Sequence, residues 1–470
     1  MAGELSLSRQ RLGTGRSPTA VAPKPQAPAL AQRSAIGVAT FMLLVIFCLY
    51  DLNTVGYQIF GVLQLFSYVI LALCVILLLV YRFTVYRDVG PVGRVYFLFL
   101  AAYIAIGFPI GLAHDAAGLD ARAHEVRLVL ASGLIVAAAA VGSRSILLAY
   151  GLRNTMRLLF AMAVLLPALI WISWHFPEFY RVEVGKARDF SRATGTFANP
   201  NEAAAAVCIV SALFFAHMLV EKSKLFSTAA LAVAAVAVYL TASRAGIIIF
   251  LGLALAQAVV TPGLKRIMPL LVGGAIAASV VFAAYKFVAS GNATDRSLVS
   301  RMETLLLVMK GDVSDETTGG RFQLAMGGIK AWMNSPLLGN GLGTQRRIDA
   351  VTLGPHNNYI RIGGEAGVIP LVLFCVLLAT WLRYSWNCHV PAVRTFSAGA
   401  ALVTAAVCLV SHDVISSREM AVVFGICFGL MSGCLEQRTA VEASRRRLAA
   451  VRAAQSLRMR TALGPRPGLS

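Results

Sequence analysis

Charge is scarce in this chain, and acid is the scarcer sign. Its 470 residues include 22 aspartates and glutamates against 42 lysines and arginines, and charged residues make up only 14% of the total. With 58% hydrophobic residues and a mean hydropathy of +0.72, the chain is not a soluble domain, which would need far more polar surface to face water. Cysteine is also sparse. All eight cysteines fall in apolar runs or, like Cys388, beside a basic segment, leaving no external disulfide framework and no metal-like spacing. No short apolar stretch with a cleavage site follows the Pro-, Arg-, Ser- and Ala-rich residues 1–34. A disordered basic tail is expected there rather than a targeting peptide. No soluble-domain repeat is present.

What is abundant is long apolar runs. Windows of about 20 apolar residues give twelve candidate spans, near 35–50, 56–81, 95–113, 125–141, 158–175, 201–220, 225–241, 244–260, 267–288, 360–382, 394–412 and 417–435. The run at 56–81 is long enough to tilt or to include an interfacial turn. The expected class is an all-α polytopic membrane protein of about 12 transmembrane helices. It divides into a basic cytoplasmic tail (1–34), nine spans (35–288), a hydrophilic excursion (289–356), three spans beginning at 357 (357–435) and a second basic tail (436–470).

The net charge of +20 does not indicate nucleic acid, because of where the cations lie. If the N-terminus is cytoplasmic and the spans alternate, the inner segments hold Arg9, Arg11, Arg16, Lys24 and Arg33. They also hold Arg82, Arg87, Arg94, Arg144, Arg153, Arg157, Lys222, Lys224, Lys265, Arg266, Arg383, Arg394 and the run around Arg445–Arg447. Short inner loops are basic while an outer loop such as 51–56 has no cation, the positive-inside pattern that places both termini in the cytoplasm. The tails then read as topology anchors near anionic lipid.

Some cations break that pattern by standing on the outer side. Arg181, Lys186, Arg188 and Arg192 share one loop, "RVEVGKARDFSRATGTFANPNEA". Arg244 stands in the tight turn "TASRAG" and Arg321 in "TTGGRFQLAMGGIKAW". They accompany helix starts. Asn199 can cap with Pro200 at the first helical position and Glu202 completing a capping-box pattern. Ser243 can cap the next helix, where Gly246 permits close approach, and Asn357 or Asn358 can cap the helix that begins "PHNNYIRIGGEAG". Free N–H groups and positive dipole ends, joined by arginines, make a site suited to a phosphate or diphosphate.

The excursion 289–356 has its own pattern. Leu298, Met302, Leu305, Leu306 and Met309 follow a possible Asp295 cap at helical spacing. Phe322, Ala325, Met326, Ile329, Trp332 and Met333 repeat it, ended by Asn334-Ser335-Pro336. Two amphipathic helices that lie over the membrane surface are expected. Asp312, Asp315 and Glu316 have no histidine beside them and read as solvated loop carboxylates. The span centres are nearly free of ionisable groups, unlike most ion pathways and transporters. Polar chemistry is expected at the outer interface.

Four stretches, "GTFANPNEAA", "YLTASRAG", "GGRFQLAMGGIKAW" with "LLGNGLG", and "PHNNYIRIGGEAG", resemble in order and spacing the O-antigen ligase and polymerase superfamily, over roughly residues 35–435. The likeness is greater to ligases. It implies a type-C-like membrane glycosyltransferase of the bacterial inner membrane, with a large periplasmic helical loop and a periplasmic active site. Such a ligase transfers O-antigen from undecaprenyl diphosphate to lipid A–core oligosaccharide, inverting and without a metal or cofactor. By matching motif, Arg244 and Arg321 would serve the diphosphate and His356 the acceptor. Charge and position add Arg192 and Arg188 to the cradle. As general base, His356 is expected to be held neutral by the helix N-terminus and nearby arginines. Asn357, Tyr359 and Asp413 are secondary candidates. Glu365, nine positions after His356, falls near the opposite helix face at about 100° per residue, so the two are not expected to form a dyad unless Gly363-Gly364 bends the helix. An O-antigen polymerase or a protein O-oligosaccharyltransferase would share the donor chemistry. A lipid flippase or solute transporter is the alternative from another class.

Overall fold

Inside a bilayer a backbone has no water to bond to, so an apolar run satisfies its own N–H and C=O groups by coiling into helix. The computed structural model describes residues 27–60, 65–114, 119–176, 192–197, 199–260, 321–346, 355–411 and 414–462. Among these, regular structure is entirely helical: α1 (Ala27–Leu49), α2 (Leu52–Phe60), α3 (Leu65–Tyr81), α4 (Val85–Asp88), α5 (Gly90–His114), α6 (Leu119–Ala163), α7 (Leu165–His175), α8 (Pro200–Val220), α9 (Leu225–Leu240), α10 (Arg244–Val260), α11 (Arg321–Met333), α12 (Asn358–Ala366), α13 (Val368–Trp386), α14 (Pro391–Val407) and α15 (Arg418–Ala462). Five stretches among the described residues are long and apolar enough to cross a membrane: Gly90–Ala113, Arg122–His175, Pro200–Val220, Val368–Trp386 and Arg418–Ser456. Shorter apolar helices stand beside them. This is the make-up of an all-α polytopic membrane protein.

Several boundaries differ from the sequence expectation. The first helix begins at Ala27, inside the expected tail, and the last runs on to Ala462, well past the expected span end at 435. The run at 56–81 is divided between α2 and α3. The expected span 267–288 and the first amphipathic helix of the excursion lie outside the described residues. The second is present as α11, starting at Arg321 and ending just before Asn334-Ser335-Pro336.

Gly151 reverses the chain within α6. Its φ of 76° and ψ of 167° lie in a region open to glycine. Phe41 packs on Gly142 before the turn, whereas after it the Tyr50 hydroxyl, further along α1, donates to Met162 O at 2.6 Å. Before the turn α6 runs with α15, Val136 against Gly425 and Leu147 against Gly433, and after it α6 runs against α8, Arg157 on Glu221 and Phe160 on Phe214. Since α8 and α15 start at one cavity, the two limbs run in opposite directions.

The tightest seam joins α6 to α15. Gly425, Gly429 and Gly433 recur every fourth residue, the small-residue spacing that lets helices in lipid approach closely. A Cβ on Gly429 would stand 2.1 Å from Ala140 O, and one on Gly425 2.4 Å from Val136 O. At the end of the bundle near Gly151, the fully buried Asp88 accepts from Arg87 at 3.0 Å and Arg144 at 3.1 Å. Arg144 also bonds Glu436. Beside them Glu221 takes Arg157 at 2.5 Å and Arg153 at 2.9 Å, which holds its carboxyl down at about 2 through those two hydrogen bonds.

Candidate active site

At the opposite end of the bundle, α12 is shaped by its two termini. Asn357 caps it, its side chain accepting from the N–H groups of Tyr359 and Ile360, as one of the two adjacent asparagines was expected to do. The same side chain donates to Leu409 O at 3.3 Å. Asn358 instead points inward, fully buried, with its N–H on Cys408 O at 2.7 Å. The helix then stops at Gly367, where φ is 82° and ψ −171°, and α13 starts in a new direction. A Cβ on Gly367 would lie 1.9 Å from Leu337 O, so only glycine fits. The segment 336–342 wraps this break. Val368 N–H bonds Pro336 O at 3.1 Å, Asn340 N–H bonds Gly364 O at 2.7 Å and Gly341 N–H bonds Glu365 O at 2.9 Å. The last two occupy carbonyls that the end of α12 otherwise leaves unpaired.

Gly363 and Gly364 lie within α12 and do not end it. They are flat places on α12: Trp332 of α11 packs on Gly363 and Gln345 on Gly364. Gly328 of α11 packs on Ile360 and Pro355. With Gly328 near the start of α12 and Trp332 further along it, α11 runs in the same sense as α12. At about 1.5 Å per residue its Arg321 end extends roughly 10 Å beyond Gly328, on the side where His356 stands. Arg321 and His356 are both half-buried.

Behind α12 lies a buried ionic network. Arg361 Nη2 reaches Glu125 at 3.1 Å and its Nε reaches Glu365 at 3.3 Å. Tyr103 donates its hydroxyl to Glu365, and Arg122 donates to Leu342 O. Arg361 is 3% exposed and Glu365 0%. Two arginines and two glutamates balance formally, as charges withdrawn from water must. Glu365 is thus directed to Arg361 and Tyr103, away from the α12 N-terminus.

A second group surrounds the α8 N-terminus. Asn199 caps α8 by accepting from Asn201 N–H, with Pro200 in the first turn. Ser243 accepts from Gly246 N–H at 3.2 Å in the start of α10, whose first residue is the half-buried Arg244. Arg192 ties these starts together: its Nε donates to Thr241 O at 2.8 Å and its Nη2 to Asn201 Oδ1 at 2.9 Å. Asn201 in turn lines a cavity of about 250 Å³ with Asp51, Glu202, Ser411, Arg418 and Glu419. Val407 and Ser411, on the same wall, flank the Leu409 carbonyl that Asn357 holds. An unbroken set of contacts therefore runs from the Arg244 turn, through Arg192 and the cavity, to the helix start beside His356. Burial pushes the Asp51 carboxyl above its usual range, while the Thr54 hydroxyl at 2.5 Å and Arg418 at 3.8 Å draw it down.

Of the secondary candidates, Asn357 is occupied as cap and cross-link. Tyr359 packs edge-on against Phe374 at 5.7 Å and donates to Ala405 O at 3.1 Å, both inter-helix contacts. Arg188 and Asp413 lie outside the described residues. Sequence reasoning passed over Tyr103, Arg122 and Glu125, and the cavity carboxylates Asp51 and Glu419. The signal available was ionisable residues at the ends of otherwise apolar runs.

A search of curated proteins returns no significant match. Residues 229–375 match the family model described as O-antigen ligase. The stretch runs from within α9 into α13 and contains Arg244, Arg321 and His356, but not Arg192. That match supports membership of the O-antigen ligase and polymerase superfamily.

Proposed function

We propose that this protein is an O-antigen ligase. It would transfer polysaccharide from undecaprenyl diphosphate to lipid A–core oligosaccharide by inverting, metal-independent glycosyl transfer. Its membrane would be the bacterial inner membrane, crossed about twelve times with both termini cytoplasmic and the site on the periplasmic face. The observation that carries this reading is the placement of Arg244, Arg321 and His356. All three fall inside the matched stretch, and each stands at or next to a helix N-terminus, where backbone N–H groups favour anions.

In this reading Arg244 and Arg321, with Arg192 and Arg188, hold the diphosphate. The acceptor hydroxyl oxygen attacks the anomeric carbon from the face opposite the phosphate, forming the new glycosidic bond. The old carbon–oxygen bond breaks and its electron pair leaves with undecaprenyl diphosphate, whose growing charge the arginines stabilise. His356, neutral beforehand, takes the hydroxyl proton.

The test uses purified protein in lipid with undecaprenyl-diphosphate-linked polysaccharide and lipid A–core, with EDTA present, followed by the gel shift of the acceptor. Wild type should transfer, and His356→Ala should lose about 10²–10⁴-fold in rate, the range for a missing general base. No shift with an intact, presented donor would overturn the ligase reading. Donor chains that lengthen instead would assign a polymerase.

A further inference from the structure

The cavity beside the α8 N-terminus has a chemistry the arginines do not explain. Its polar lining comes from Asp51, Asn201, Glu202, Ser411, Ser416, Ser417, Arg418 and Glu419, and its apolar lining from residues such as Leu128, Val407 and Val414. Three carboxylates face one guanidinium, and Arg418 is already committed to Asp51 at 3.8 Å and to the Ser67 hydroxyl at 3.0 Å. A diphosphate would be repelled from such a lining.

Glu419 is the decisive residue. It is 7% exposed, has no ion pair among the described residues, and its carboxylate accepts from the Ser417 hydroxyl and its own backbone N–H. A carboxyl group has acceptor positions beyond these two bonds, and a donor placed in the cavity would offset the cost of burying it. Asp51, Glu202 and Glu419 come from three different elements, and no trio of His, Cys, Asp or Glu among the described residues converges as metal ligands do. Hydroxyl groups are donors of the kind such a lining can take.

Resting on the ligase reading, we propose that this cavity seats an uncharged sugar ring of one of the two substrates. Ring hydroxyls donate to Glu419 and Glu202 and exchange bonds with Asn201 and Ser411, while the ring's C–H face covers Val407 and Val414. Placement agrees: Asn201 is held by Arg192 on one side, and Leu409, between Val407 and Ser411, is held by Asn357 on the other. A sugar here lies between the diphosphate arginines and His356, where either the donor's transferred sugar or the acceptor's attacking sugar must be.

The test is saturation-transfer NMR on the full chain in lipid nanodiscs, with methyl α-D-glucopyranoside and methyl α-D-galactopyranoside as probes and inorganic diphosphate as competitor. Wild type should saturate ring protons of at least one probe, undisturbed by diphosphate. Glu419→Gln should weaken binding about tenfold or more, as for loss of one hydrogen bond to a charged group. Ala205→Leu, which fills the cavity from α8 without changing charge, should abolish it, with thermal unfolding checked for both. Absence of signal in wild type, equal signal in both folded variants, or displacement by diphosphate would overturn the proposal. In the transfer assay a rise in KM for lipid A–core alone assigns the acceptor sugar, and a rise for the lipid-linked donor alone assigns the donor sugar. If wild type binds the probes yet transfers nothing, the ligase reading falls while the cavity assignment stands.

Discussion

Replacing Arg361 with methionine keeps most of the side-chain volume and removes the charge at the centre of the network behind α12. The structure sets the expected cost. Contacts of 3.1 Å to Glu125 and 3.3 Å to Glu365 correspond to a gross attraction of about 5 kcal/mol each at an effective dielectric near 20. Desolvation offsets much of that. Breaking a buried pair by removing one partner nonetheless costs about 3–5 kcal/mol, since the abandoned charge stays buried, and here two carboxylates are left with Arg122 as the network's one arginine. Unfolding in lipid followed by tryptophan fluorescence suits the question, because Trp332 sits on Gly363 of α12 and donates to Pro336 O at 3.1 Å. Arg361→Met should unfold well before wild type. The double variant Arg361→Met/Glu365→Gln should recover most of the loss, because the charges that remain, Arg122 and Glu125, balance. A single variant as stable as wild type, or a double variant no better than the single, would refute the electrostatic reasoning.

Gly367→Ala should destabilise by about 1–3 kcal/mol from its positive φ alone, and more from the Leu337 carbonyl. A matched unfolding midpoint would show that the α12–α13 break relaxes freely. Gly429→Leu should part α6 from α15, since even a Cβ would stand 2.1 Å from Ala140 O, and overpacking typically costs about 1–3 kcal/mol. Hydrogen exchange on the two helices reads this directly, and unchanged protection counts against the seam. Glu221, whose carboxyl is held at about 2 by Arg157 and Arg153, contributes stability that is fully present above its ordinary value near 4.5 and lost as pH falls towards 2. Glu221→Gln should therefore lower the melting temperature at pH 7, with the gap to wild type closing below about pH 4. A gap constant with pH would assign the effect to packing.

Much of the local architecture was legible because its causes act within a few residues. Asn199, Ser243 and Asn357 were identifiable as caps from their position before apolar runs, and α11 from its apolar spacing and the Asn334-Ser335-Pro336 stop. The break after α12 was not legible, for an equally physical reason. Two adjacent glycines at 363–364 look like a hinge, yet their missing side chains make room for Trp332 and Gln345, while the break falls at Gly367, where another segment's carbonyl comes too close for a Cβ. The charges behind α12 were visible, but Glu125 lies 236 positions from Arg361, and no local pattern pairs them. The Gly425–Gly429–Gly433 spacing can be read along the chain, but its partner, the alanine-rich stretch of α6, cannot.

By itself, then, the sequence determined that the chain is helical and apolar enough for a membrane, where several helices begin, and which residue types gather at those starts. Hydrophobicity, capping and glycine's freedom are properties of a residue and its near neighbours. Only the tertiary structure decided that Arg192 joins the α8 start to the α10 turn, that Glu365 belongs to Arg361 and Tyr103, and that Glu419 opens on a cavity. A buried polar group takes its partner from whichever element packing brings within about 3 Å, however distant that element is along the chain.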